Sequence, residues 1–294
     1  MALSSADRDR LKNLFGPHVT FERRERRLYG HDIAAMPSLV KPLVGDTTPD
    51  AVVQPSSEEQ LVELVRWATG RGLPLTPRGK GSSGYGGAIP VKKGIVVDLY
   101  RLRDVVAVDR EALTVTVEPG ITWEQLDRRL AGQGLTLRLY PTSYPSSSVG
   151  GWLAQGGAGI GSYQYGSFSD NVVSVRVVLA GGAIRELSGA DLGLVADAEG
   201  TTGIISRVTV RVRPLEDEAV TAVACADARG LQTLIDAIIA ADLPIWSMVY
   251  INRRMAEMKN RSPLREHNGH PAEERVLLPA AYILTLAYRA ADKA

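Results

Sequence analysis

The sequence predicts an α+β fold built from more than one unit, and three observations carry that prediction. Short apolar strands alternate with a few amphipathic helices, beginning with a β-α-β unit over residues 51–76. The 29 glycines are concentrated between Arg78 and Gly203, where the backbone must turn tightly or approach something closely. A charged segment, Pro214-Leu215-Glu216-Asp217-Glu218, then separates this region from a shorter one that starts a new strand.

The elements follow in order. Asp7–Leu14 reads as a short helix, and the charge-dense run Phe21–Arg27 as a solvated face. Ala51–Val53 is a strand. Ser56 or Ser57 caps the next helix, with Glu59 or Gln60 in capping-box position and Leu61, Val62, Leu64, Val65 and Ala68 on one face. Gly70 and Gly72 end that helix, and Leu73–Thr76 returns as a strand. Further strands are expected at Gly94–Leu99, Val105–Val108 and Leu113–Val117, then a helix at Trp123–Leu130 capped by Thr122. Val172–Leu179 and Ile184–Leu187 flank the hairpin turn Ala180-Gly181-Gly182-Ala183, and Val208–Arg213 alternates as a strand. Beyond the linker, Ala219–Ala226, Ile245–Ile251 and Ala281–Ala287 read as strands and Leu231–Ala240 as a helix. A polar loop is expected over Asn260–Pro271.

Composition excludes several classes. Lys+Arg 34 against Asp+Glu 33 gives a net charge of +1, which argues against a basic nucleic-acid binder. Cys225 is the single cysteine, so this chain by itself holds no internal disulfide, cysteine-based zinc site or iron–sulfur cluster. The four histidines include one close pair, His267 and His270, in a polar loop, and a metal enzyme is not expected. No signal-like segment or membrane-length apolar run is read, so a soluble cytoplasmic protein is the default expectation.

The first glycine loop, Pro77-Arg78-Gly79-Lys80-Gly81-Ser82-Ser83-Gly84, contains G-x-G-x-x-G at Gly79, Gly81 and Gly84. A dinucleotide fingerprint of the Rossmann kind needs a helix to start inside the motif. Here Gly86-Gly87-Ala88-Ile89-Pro90 follows, which cannot be helical, and that reading is rejected. A Gly/Ser loop still forms an anion-binding nest from successive backbone N–H groups without any helix. A second small-residue stretch runs Ser146-Ser147-Ser148-Val149-Gly150-Gly151-Trp152-Leu153-Ala154-Gln155-Gly156-Gly157-Ala158-Gly159, and Tyr165-Gly166 leads through Ser167, Phe168 and Ser169 to Asp170-Asn171-Val172. A third element, Glu199-Gly200-Thr201-Thr202-Gly203-Ile204-Ile205, again precedes a strand.

In this order the motifs resemble the FAD-binding domain of the vanillyl-alcohol-oxidase superfamily, PCMH type, with the nearest likeness to the flavin subunits of glycolate and D-lactate dehydrogenases. The resemblance spans roughly residues 50–214. It implies an FAD-binding domain over 40–217, made of two α+β subdomains at about 40–110 and 111–217. An N-terminal extension over 1–39 precedes it and a short or partial α+β cap over 218–294 follows. The implied cofactor contacts are Arg78, Gly79, Lys80, Gly81, Ser82, Ser83 and Gly84 in the diphosphate loop, then Pro141 and Ser143. Ser148, Val149, Gly150, Gly151 and Ala154 follow, with Gly166, Asp170, Glu199, Gly200, Gly203, Ile204 and Ile205. Relatives with covalently attached flavin have histidine at the position of Ser82, so noncovalent FAD is implied. Many relatives have asparagine where this chain has Trp152, whose indole would stack on or crowd the ligand; Trp152 and Tyr163 are candidates to line the flavin's open face.

The resemblance further implies hydride transfer from a 2-hydroxy acid to FAD and onward transfer to a partner acceptor, with an iron–sulfur subunit as the hypothesis for that partner. The HxGDGNxH motif of such dehydrogenases is absent, no catalytic residue is assigned, and an exposed loop pair is the simpler account of His267 and His270. Arg138, Arg176 and Arg207 are weighed as carboxylate clamps and not adopted. The open alternatives are a relay subunit that binds FAD without an organic substrate, the FAD subunit of a molybdenum hydroxylase, an FAD reductase of peptidoglycan precursor synthesis, and a binding module without flavin.

Overall fold

The computed structural model describes residues 3–34, 37–262 and 277–292. They form two compact units: Met1–Gly159 with Ser167–Leu215, and Ile160–Gly166 with Glu216–Ala294. The division after Leu215 falls inside the segment read as a linker.

The first unit holds two sheets. In the smaller, β1 (Val19–Thr20), β2 (Ala51–Val53), β3 (Leu75–Arg78) and β4 (Ile95–Asp98) lie in the order β1-β2-β4-β3. β2, β4 and β3 are parallel, and β1 is an antiparallel edge. β2 and β4 are buried at every position, as apolar runs covered on both faces must be. The helix Glu58–Gly70 crosses from β2 to β3 and buries Leu61, Leu64, Val65 and Ala68. Its N-cap is Ser57, whose side chain accepts from the Gln60 N–H, while Gln60 Oε1 accepts from the Ser56 N–H. Leu3, Leu11 and Phe15 enter the same core. The charged run at 21–27 is a helix, Arg23–Leu28, and Arg26 is not merely solvated: its guanidinium donates to the carbonyls of Phe21 and Pro49.

The larger sheet is antiparallel. Its strands are β5 (Val105–Asp109), β6 (Thr114–Val117), β7 (Leu135–Leu137), β8 (Val172–Val178), β9 (Ile184–Ser188) and β10 (Ile204–Pro214). They run β5-β6-β10-β8-β9, with β7 on the far end of β10. β5 pairs with β6, so the exchange between sheets falls between Asp98 and Val105 rather than near residue 110. β10 starts at Ile204, four residues before the expected Val208, and β7 was not expected at all. The helix Trp123–Ala131 carries the expected Thr122 cap, completed as a capping box by Gln125. The two layers are joined by a half-buried ion pair: Arg176 on β8 grips Glu58 at 3.1 and 2.6 Å, and Ser206 on β10 donates to the same carboxylate at 2.6 Å. Val178 and Ile204 extend the first core onto the second sheet.

The second unit has three antiparallel strands, β11 (Glu218–Cys225), β12 (Ile245–Ile251) and β13 (Tyr282–Arg289), ordered β11-β13-β12. The helix Ala228–Ala240 packs Leu231 and Ile238 against Ile245 and Leu284. A further helix, Arg253–Arg261, was not expected and takes in the first two residues of the polar loop read over Asn260–Pro271, of which residues 263–271 lie outside the described residues. His267 and His270 lie outside the described residues. Among those described, no helix is long and apolar enough to cross a membrane, and no group of three His, Cys, Asp or Glu is suited to hold a metal.

Candidate functional site

The first unit contains an open cleft lined mostly by glycine, serine and charged side chains. Three segments build it. β3 ends at Arg78 and releases the chain into a loop with no helix until past Pro90, as the rejection of a dinucleotide fingerprint required. Among the described residues, the backbone N–H groups of residues 80–84 meet no protein acceptor. From this loop Arg78, Gly79, Lys80, Gly81, Ser82 and Ser83 line the cleft. Gly81 has φ +62°, and a Cβ there would strike the Arg78 guanidinium, so the loop folds back over its own first side chain. Gly84 stands in open space away from the cleft wall.

The second segment brings Ser143, Ser148, Gly150, Gly151 and Ala154. Residues 149–155 are helical rather than a loop of small residues. Gly150 makes that helix possible: a Cβ there would lie 2.4 Å from Pro119 Cβ and 2.9 Å from its Cα. Ser148 Oγ is fully buried without a hydrogen-bond partner, and a Cβ on Gly79 would come within 2.3 Å of it. Glu199, Gly200, Gly203 and Ile205 form the third wall. A Cβ on Gly200 would meet the Pro77 ring at 2.7 Å, so this wall closes directly on the first loop.

Other expected contacts lie elsewhere, for physical reasons. Val149 is fully buried with its N–H donating to the Ile121 carbonyl, and Ile204 is a core residue. Pro141 is buried and its carbonyl accepts from the Tyr144 N–H. Asp170 accepts from the Ser167 N–H at 2.7 Å and hydroxyl at 2.8 Å, which shapes its own turn. Gly166, with φ +73°, ends the short helix Ser162–Tyr165 of the second unit, which also carries Tyr163. Trp152 borders the cleft but is 6% exposed; it stacks on Phe168 at 4.6 Å and meets Trp123 edge-on at 5.2 Å. Its indole is therefore first a member of an aromatic core. The arginines are also engaged: Arg138 Nε donates to the Val212 carbonyl at 3.2 Å, Arg176 holds Glu58, and the Arg207 charge acts on Glu58 and Glu118. Sequence reasoning did not assign Pro77, Gly87, Ala88, Leu99, Ser147, Gln155 and Val195 as contacts, although they line the cleft. Pro77, Ser147 and Gln155 sat inside quoted motifs and Gly87 and Ala88 just after one, while Leu99 and Val195 carry no signal beyond being apolar.

Electrostatics favour an anion along one wall. Burial pushes the Arg78 guanidinium below the usual arginine value, opposed by the charges of Asp98, Tyr29 and Asp32, and it remains cationic. Arg78 donates to the His31 carbonyl at 2.8 Å and lies over the Tyr29 ring at 5.3 Å. The Tyr29 hydroxyl is pushed up to about 12 by burial and by the Asp98 carboxylate, to which it donates at 3.0 Å. Lys80 Nζ sits 4.4 Å from the Tyr100 ring. On the opposite wall, desolvation and the carboxylates of Asp32 and Asp197 raise Glu199 above the usual glutamate range. Free N–H donors, two cations, an orphaned buried hydroxyl and glycines where any Cβ would collide together fit a diphosphate-containing ligand with a flat part lying close to backbone.

Comparison with known proteins decides which ligand. Residues 49–188 match the family model described as FAD binding domain. They belong to that family. The match covers the first glycine loop, the second small-residue stretch and strands β2 to β9 of this FAD-binding domain. The chain is 29% identical over 289 residues to the mitochondrial D-lactate dehydrogenase (cytochrome) of Arabidopsis thaliana, covering 95% of this chain and 48% of that protein. It is 30% identical over 207 residues to glycolate oxidase subunit GlcD of Bacillus subtilis (strain 168), covering 67% of this chain and 44% of that protein. A solved structure of alkyldihydroxyacetonephosphate synthase superposes with a TM-score of 0.83 at 22% identity, covering 98% of this chain and 58% of the other, and shares the fold. The chain thus spans about half the length of the curated relatives it matches. The fold is the α+β, PCMH-type FAD-binding fold, and the cofactor of the domain is FAD.

Proposed function

We propose that this chain is the flavin-carrying part of an oxidoreductase that oxidises a 2-hydroxy acid, glycolate or D-lactate being the model substrates, with electrons leaving to a partner acceptor. The observation that carries the reading is the glycine loop after β3, with unengaged N–H groups at residues 80–84 beside Arg78 and Lys80. When bound, FAD supplies the two-electron oxidation of the substrate carbon. The chain's own residues bind and orient. The 80–83 N–H groups and the Arg78 charge neutralise the diphosphate, and Ser148 Oγ supplies a hydrogen bond it lacks within the protein. Gly150, Gly151 and Ala154 leave room for a flat ring against backbone. The Trp152–Phe168–Trp123 cluster keeps water from the wall behind it.

Attachment is noncovalent in this reading, since Ser82 offers no imidazole for a covalent link. In this reading the acceptor is an iron–sulfur subunit; the single cysteine of these 294 residues, Cys225, cannot itself hold a cluster. Support for the substrate class comes from the names of the relatives, a D-lactate dehydrogenase and a glycolate oxidase subunit.

The test is an absorbance spectrum of the purified protein followed by anaerobic addition of D-lactate and of glycolate. Flavin bands released by acid precipitation and bleached by either acid are the expected result. Bound flavin that stays oxidised with both acids would favour the relay reading. A colourless protein that takes up no added FAD would sink the proposal.

A further inference from the structure

Ser143 and Ser147 reach the cleft from a segment with no regular secondary structure, so something must hold it. Within the segment, the Tyr144 N–H donates to the Pro141 carbonyl at 2.9 Å. The N–H groups of Ser146 and Ser147 both donate to the Ser143 carbonyl, and Ser143 Oγ donates to Ser147 Oγ at 2.8 Å. These bonds make the turn compact but do not attach it to the domain.

Attachment comes from the helix Trp123–Ala131. Its first two N–H groups, which no helix can satisfy internally, donate out to this segment: Trp123 to the Ser147 carbonyl at 3.1 Å and Glu124 to the Pro145 carbonyl at 3.3 Å. One turn further on, three hydroxyls converge on the Asp127 carboxylate. Oδ1 receives Thr136 Oγ1 at 3.1 Å and the Tyr140 hydroxyl at 3.4 Å, and Oδ2 receives the Tyr144 hydroxyl at 3.3 Å. Thr136 Oγ1 and the Tyr140 hydroxyl are 2.9 Å apart, and the Tyr140 and Tyr144 rings meet edge-on at 5.4 Å. Tyr140 and Tyr144 bracket Ser143, so one carboxylate pins the turn on both sides of its cleft-lining residue. A carboxylate has several acceptor sites on its two oxygens, so one side chain can serve more than one of these hydroxyls.

We propose that Asp127, which does not itself line the cleft, is a positioning residue for FAD: by holding Tyr140 and Tyr144 it fixes where Ser143 and Ser147 meet the cofactor. The inference rests on the cofactor reading of the cleft. A purely structural Asp127 would lower the stability of the apo-protein without being coupled to Ser143. A positioning Asp127 makes Ser143 useful, so the two residues are coupled in FAD affinity.

The experiment is a double-mutant cycle on the full chain, titrating apo-protein with FAD by flavin fluorescence and melting each apo-protein in parallel. Asp127→Ala is expected to weaken FAD about tenfold and Ser143→Ala about fivefold, with the double variant no weaker than Asp127→Ala alone. Tyr144→Phe removes one tie at a residue 37% exposed, so it keeps the test alive should Asp127→Ala not fold. It is expected to weaken FAD about threefold, again without adding to Ser143→Ala. Additive losses, or unchanged affinity in both Asp127→Ala and Tyr144→Phe, would overturn the inference alone. Failure of the wild-type chain to take up FAD would overturn the cofactor reading and this inference with it.

Discussion

Two glycine-rich stretches meet at the cleft and use glycine for opposite purposes. In the first, residues 79–87, part of the backbone stays bare: among the described residues the N–H groups of 80–84 meet no protein acceptor, and Gly84 has no neighbouring atom within 4 Å of where a Cβ would stand. The Cβ positions of Gly79, Gly81 and Gly87 meet only the ends of the Ser148, Arg78 and Glu199 side chains closely. In the second, glycine sits inside the helix Val149–Gln155, where it is normally unfavourable, because Pro119 leaves no space for a side chain at Gly150. The same residue type serves ligand access in one place and close packing in the other. Composition alone does not separate the two; the neighbours do.

The sharpest way to test that contrast is Gly150→Ala. The new methyl meets a ring and backbone that have no rotamer to escape into, so the apo-protein is expected to lose about 2 kcal/mol, read as a lowered Tm. A variant as stable as wild type would break the packing account of this helix. Gly79→Ala is the counterpart. Its methyl meets only Ser148 Oγ, whose Cβ is 3.6 Å away, so the hydroxyl can rotate aside. FAD affinity is expected to fall about tenfold with little change in apo-protein Tm, because the rotated hydroxyl no longer faces the ligand. Equal losses of stability in the two variants would erase the distinction between the stretches.

A control away from both stretches is Glu58, which clamps the two sheets. Burial pushes its carboxyl up, but the hydrogen bonds from Arg176 and Ser206 and the Arg176 charge outweigh that and hold it below the usual carboxylate range. The folded value thus lies below the unfolded one. The stability it contributes is present above the ordinary glutamate value of about 4.3 and is lost as pH falls through the folded value. Glu58→Gln is expected to cost roughly 1 kcal/mol at neutral pH and to flatten the acid limb of a stability–pH curve measured by urea unfolding. An unchanged acid limb would remove Glu58 from that role. The smallest effect is expected at Gly84. Gly84→Ala enters open space without a left-handed φ, so stability should stay within about 0.5 kcal/mol of wild type in the same urea assay. A large loss there would show that the first loop is packed after all.

Much of this was legible before any coordinates. The β-α-β unit, a serine cap at Ser56 or Ser57, the Thr122 cap and the exclusion of a helix after Gly84 all rest on local rules of capping, periodicity and proline geometry, and the structure follows them, with Ser57 as the cap. The motif order carried the cofactor. Most residues assigned to it by resemblance line one cleft, although they come from segments more than a hundred residues apart.

What escaped the sequence has a common cause. β7 is three residues long and exists because Leu135–Leu137 pair with the far end of β10. Helix 149–155 contains two glycines and forms around a contact with Pro119. Trp152 reads as a ligand contact until Phe168 is found stacked against it, and Asp127 drew no reading from the sequence because its partners Tyr140 and Tyr144 meet it only in the folded chain. Residue types, their spacing and chain stiffness determine local elements and a motif's chemistry, so the sequence by itself specified the α+β class and an FAD-binding loop. Which wall each residue occupies depends on partners distant in sequence. Their contacts stabilise only once the chain has closed around a core, and that assignment was made by the tertiary structure.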